Sequence, residues 1–132
     1  MVGYAAPTVH TDGPIAPVLD SFLQHCPTIA RAFAVEYRLL CPGANAAHPF
    51  PTAPTDASAG YTYLGNLGSK KEDFVLRGDS AGGNLALALI RYLTENWDGV
   101  PHRPQAPGAL APVSPWDDVN ESFEVTRAES TT

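Results

Sequence analysis

Apolar residues recur at two different periods along this chain, and the changes of period mark out its elements. Ile15, Val18, Leu19, Phe22, Leu23 and Cys26 share one helical stripe, with Asp12 as N-cap, Pro14 just inside the start and Pro27 as the stop. Residues 31–39 (RAFAVEYRL) are short, apolar and aromatic, and predict a buried strand. Residues 41–54 form a loop holding Pro42, Pro49, Pro51 and Pro54. A second helical face follows at Ala53, Ala57, Gly60, Leu64 and Leu67, closing at Gly68. A polar turn at 70–73 leads into the apolar run Phe74-Val75-Leu76. Beyond it, Ala81, Leu85, Ala88, Leu89, Tyr92 and Leu93 make the strongest amphipathic helix, which ends near Gly99-Val100-Pro101. Residues 108–113 predict a third strand, although Pro112 within it lacks a ladder donor. Residues 1–11 show no clear period. Residues 114–132 are polar and aperiodic, and 119–132 are expected to be a flexible tail. Helix and strand alternate three times, which predicts an α/β fold with parallel strands and right-handed crossovers in one domain spanning 1–132.

The chemistry concentrates in residues 73–96. A strand stops at Gly78-Asp79-Ser80-Ala81-Gly82 and a helix starts at once, which is the G-x-S-x-G pattern in a strand–turn–helix setting. A serine on so tight a turn is held in a strained conformation with its hydroxyl above the sheet. Its neighbours two residues away approach so closely that only small residues fit, hence Gly78 and Gly82. The new helix aims free N–H groups at any anion formed beside Ser80, that of Ala81 first. A phosphate-cradling loop is excluded, because it needs Gly-Lys-Ser/Thr at the helix start and no lysine follows Lys71.

Composition narrows the classes. The 132 residues are 44% hydrophobic, enough for one core, and a net charge of −6 gives no reason to approach nucleic acid or an anionic membrane. Cys26 and Cys41 predict reduced thiols and offer no metal spacing. His10 with Asp12, and His25 with Cys26, lack a third ligand cluster, so no metal and no cofactor is expected. No apolar stretch approaches the ~20 residues of a transmembrane helix, and no signal peptide is legible; a cytoplasmic protein is the expectation.

At this point a family resemblance emerges. GDSAGGNLA resembles the nucleophile elbow of the hormone-sensitive-lipase-like α/β-hydrolases, esterases acting on carboxylic esters. Tyr37-Arg38-Leu39, Pro42, His48-Pro49-Phe50-Pro51, Asp56 and Leu64 resemble the family's Y-R-L-x-P…H-P-F-P…D segment. Ser114-Pro115-Trp116 with Asp117-Asp118 resembles its S-P-W-x-D. These matches run in order over most of 31–118, with a longer link at Gly43-Ala44-Asn45-Ala46-Ala47. The resemblance implies a serine carboxylesterase with Ser80 as nucleophile, Ala81 as oxyanion donor, and Gly78, Asp79, Gly82 and Gly83 shaping the elbow. Its substrate would be a small-molecule ester.

The resemblance also implies parts not found here. Of the family's H-G-G-G-[FY] oxyanion loop only Gly3-Tyr4 could remain, so Gly3 is at most a remnant of it. The acid and then the base should follow the serine. His102 is the only histidine after Ser80 and sits in a Pro-flanked loop; Asp117 and Asp118 match a structural position. Triad acid and base are therefore expected to be absent from the chain, and His48, Tyr61, Tyr63, Tyr92, Trp97 and Trp116 are read as packing residues. The expected fold is a partial α/β-hydrolase: parallel strands with helices on both faces, lacking N- and C-terminal strands. The strand between 31–39 and the elbow strand would be missing. Those two strands would stand about 10 Å apart, or close into a non-native pair, or leave buried edges unsatisfied. The expectation is thus an incomplete, inactive esterase; the alternative is a non-catalytic member or remnant that binds a small molecule.

Overall fold

The computed structural model describes residues 2–4, 15–39, 48–95 and 104–116. Among these, the order is β1 (Val2–Tyr4), α1 (Ile15–His25), β2 (Ala34–Val35), α2 (Thr52–Asn66), a 3-10 turn (Lys71–Asp73), β3 (Val75–Asp79), α3 (Ala81–Thr94) and β4 (Ala109–Val113). All four strands are parallel neighbours in one sheet, in the order β2-β1-β3-β4. The α/β class and the parallel sheet are as the periodicity predicts.

The gap expected between β2 and β3 does not exist. Val2 and Gly3 pair with Ala34 and Val35 on one side, while Val2, Gly3 and Tyr4 pair with Arg77, Gly78 and Asp79 on the other. Three residues are too few to show a period-two pattern, yet they are enough to receive ladder bonds from both neighbours. The strand expected over residues 31–39 shrinks to Ala34–Val35, because only β1 runs beside it and β1 is itself short.

Helices sit on both faces. Leu76, pointing one way from β3, lies in a core with Val35 of β2, Ala57 and Tyr61 of α2, Leu85, Leu89 and Leu93 of α3, and Tyr37 and Phe74 from the segments just after β2 and just before β3. Arg77, pointing the other way, holds its guanidinium 4.7 Å from the Phe22 ring centre on α1. Right-handed crossovers account for this split: β1 to β2 runs in one direction across the sheet, and β3 to β4 in the other. Prolines inside α1 and α2 do no harm, since Pro17 and Pro54 occupy the first turn, where an N–H has no intrahelical partner. Gly68 closes α2 with φ of 84°, its N–H donating to the Gly65 carbonyl at 3.0 Å.

The core is aromatic at its centre. Tyr61 meets Phe74 edge-on at 5.4 Å, and its hydroxyl donates to the Gln105 carbonyl at 2.7 Å. Arg38 and Asp56 tie the exit of β2 to α2 through a two-pronged pair. The Arg38 backbone N–H and Nε both donate to Asp56 Oδ2 at 3.0 Å, and Nη2 donates to Oδ1 at 2.7 Å. Hydrogen bonding from Arg38 holds the Asp56 carboxyl below the ordinary carboxylate range, against the desolvation that would raise it.

Pro112 is accommodated because of where β4 lies. Ala109 donates to the Phe74 carbonyl at 3.1 Å and Val113 accepts from the Ser80 N–H at 3.1 Å, so the odd positions of β4 face β3. Pro112, out of phase with them, turns its nitrogen to the outer edge, where no described strand follows. Asp12 and Pro14, the expected start of the first helix, lie outside the described residues, as do Cys41, Trp97 and 119–132.

Candidate active site

Ser80 stands at the carboxyl end of β3, the second strand from the β4 edge, where open α/β sheets place their ligands. Its backbone adopts φ 52° and ψ −119°, a region that residues with a Cβ rarely occupy. Local crowding explains why the turn is so tight. A Cβ added at Gly78 would collide with the Gly82 carbonyl group, so strand and helix approach backbone to backbone. One added at Gly83 would stand 2.9 Å from the Pro115 Cα.

The serine occupies the N-cap position of α3, yet its side chain makes no capping hydrogen bond. An ordinary N-cap serine would spend its hydroxyl on an N–H of the first turn. Here the positive φ turns the side chain away, and the residue is exposed. The first helical bond runs from the Asn84 N–H to the Ser80 carbonyl at 3.1 Å, which leaves the N–H groups of Ala81, Gly82 and Gly83 without intrahelical acceptors. An exposed hydroxyl and a group of unpaired donors therefore share one helix end, an arrangement able to attack a carbonyl and to receive the anion that results.

Two contacts that sequence reasoning missed come from the end of β4 and the turn that follows it. Ser80 donates to Val113, and the Trp116 N–H donates to the Ser80 carbonyl at 2.9 Å. The S-P-W match was legible, but a backbone bond between residues so far apart in the chain leaves no trace in either stretch.

Other expected residues fall elsewhere. Gly3 is a ladder residue opposite Gly78, two positions short of the level of Ser80, and so is not part of a loop over the serine. Asp79 pairs with Tyr4 and Val113 at the end of the strand. His25 ends α1 with Nδ1 2.9 Å from the Ser21 carbonyl, and His48 is exposed with φ of 62°. His10, His102, Asp117 and Asp118 lie outside the described residues. Trp116, expected to pack, is 74% exposed, and Tyr63 and Tyr92 are about half exposed; the turn at Ser114 carries Trp116 out over the rim of the sheet instead of into the core. Tyr61 does pack, almost fully buried.

The profile of the alpha/beta hydrolase fold matches residues 15–132. The chain belongs to that family. This hydrolase-fold chain is 41% identical over 81 residues to esterase LipU of Mycobacterium tuberculosis, a match covering 61% of the chain and 23% of LipU. An esterase of the bacterial hormone-sensitive lipase family superposes with a TM-score of 0.64 at 26% identity, covering 97% of this chain and 40% of the esterase. A structure of EstE5-PMSF superposes with a TM-score of 0.62 at 30% identity, over 98% of this chain and 41% of that one. The chain thus spans about a quarter of the length of the curated relative and two fifths of the solved structures. It is a hormone-sensitive-lipase-like α/β-hydrolase, with esterases among its relatives. Among its described residues no helix is long and apolar enough to cross a membrane.

Proposed function

We propose that this chain carries the nucleophile of a carboxylic-ester hydrolase, with Ser80 as the attacking residue. The observation that carries the reading is the conformation of Ser80: positive φ, exposed, with a hydroxyl that its own helix does not use. Ser80 Oγ forms a bond to the ester carbonyl carbon as its proton passes to a base. The carbonyl oxygen becomes an anion, which the Ala81 N–H at the positive end of α3 is placed to receive. Collapse of the tetrahedral intermediate expels the alcohol, which takes the proton back from the base; water then releases the acid.

Among the described residues, neither His25 nor His48 is hydrogen-bonded to Ser80, and the chain spans two fifths of the esterase structures it matches. Loss of the base costs on the order of 10⁶ in turnover, and loss of one oxyanion donor another ~10²–10³. These residues by themselves are therefore expected to hydrolyse esters negligibly.

The test is a pair of measurements on the 132-residue chain. Hydrolysis of a short-chain aryl ester should match the buffer background in both the unsubstituted chain and Ser80→Ala. Joining the 132 residues to the oxyanion-loop and downstream parts of a matched esterase, as a chimaera, should restore turnover and labelling by an organophosphonate, both lost in Ser80→Ala. A folded chimaera labelled equally with and without the Ser80 hydroxyl would eliminate this serine as the nucleophile.

A further inference from the structure

We propose that the turn Ser114-Pro115-Trp116 is a positioning device for Ser80, whose backbone maintains the serine's dihedral angles and so aims its hydroxyl. The functional meaning rests on the esterase reading; the mechanical claim stands apart from it. A residue with a Cβ stays at φ 52° only when its surroundings hold it there. α3 supplies one restraint, the Asn84 N–H on the Ser80 carbonyl, which any helix start would provide. The other two come from one short segment. Val113 accepts from the Ser80 N–H at 3.1 Å, and Trp116 donates to the Ser80 carbonyl at 2.9 Å, so the serine is gripped on both sides of its Cα.

Two further features fit a clamp. Pro115 closes against Gly83, where a Cβ would come within 2.9 Å of the proline Cα, and this fixes the turn against the first turn of α3. Ser114 itself takes φ of 39°, so the chain reverses between the two gripping bonds. Serine tolerates that conformation, whereas a β-branched residue does not. The Trp116 indole is 74% exposed, so its burial does not set the turn; the backbone does. Ser80 and Ser114 are thus two unusual conformations that brace each other.

Amide exchange and the Cα and Cβ chemical shifts of Ser80, measured on the full chain, test this. In the unsubstituted chain the Ser80 and Trp116 amides should open as one unit, with protection matching within about twofold. Ser114→Val should lower both protections about tenfold and move the Ser80 shifts away from positive-φ values, while the Leu76 and Leu89 amides hold. Ser114→Gly and Trp116→Phe, which keep the turn and its donor, should leave the Ser80 shifts in place. Unchanged Ser80 shifts in Ser114→Val would overturn the proposal. If Ser114→Val does not fold, the exchange comparison in the unsubstituted chain decides: matched protection supports the clamp, and an unprotected Trp116 amide overturns it. Failure of phosphonate labelling would sink the esterase reading without moving any of these signals.

Discussion

Gly78 shows how little room surrounds the nucleophile. Any side chain there meets the Gly82 carbonyl, and the obstacle is backbone at both ends, so nothing flexible can yield. Gly78→Ala is expected to cost about 3 kcal/mol or more, the range of severe core clashes and strained backbone together. A lowered urea midpoint would show it; an unchanged midpoint would mean that strand and helix are not in contact there. Asp56 makes a second, pH-dependent case. Its carboxyl is held below the usual range by Arg38 while folded, so its contribution is fully present above the ordinary carboxylate pKa. That contribution fades as pH falls through the lower, folded value. Arg38 is half exposed, so solvent screens the pair and keeps its contribution small. Urea midpoints measured from pH 7 downward should converge for the parent chain and Asp56→Asn in acid. A gap that persists at pH 2 would assign the effect to packing instead.

The edge strand β4 makes a prediction from its phase alone. Ala109 and Val113 bond toward β3, so Ala111 shares their side and Pro112 does not. Ala111→Pro should remove a ladder donor and add a steric clash, costing about 3 kcal/mol, whereas Pro112→Val should leave the thermal midpoint within a degree or two. Equal losses from both would show that the register is shifted by one. The same pairing shows why the strand expected over residues 108–113 forms in spite of its proline. Pro112 looked like an argument against a strand, because a sequence shows a missing donor but not the side of the sheet to which that donor would have pointed.

β1 holds the sheet together from its centre, although it is only three residues long. Deleting residues 1–4 would leave facing edges on β2 and β3, at about 1–3 kcal/mol for each buried group without a partner. Against a typical domain stability of about 5–15 kcal/mol, that loss is expected to abolish cooperative unfolding. Circular dichroism melts of the intact and shortened chains would show the difference; a sharp transition in both would mean that β2 and β3 pair directly. The same strand corrects the largest structural expectation drawn from the sequence, that of a gap in the sheet.

Local physics wrote the elements into the chain. Helical spacing placed α1, α2 and α3, and the need for small residues beside a tight turn marked Ser80, Gly78 and Gly82, because each depends on residues only a few positions apart. Long-range pairing decided the rest: the use of Val2–Tyr4 as a central strand, the harmless side for Pro112, and the grip of residues 113–116 on the serine. Backbone hydrogen bonds between distant segments use groups that every residue carries, so no side-chain pattern announces them. Only the packed chain, which must satisfy all of those groups together, selects the partners.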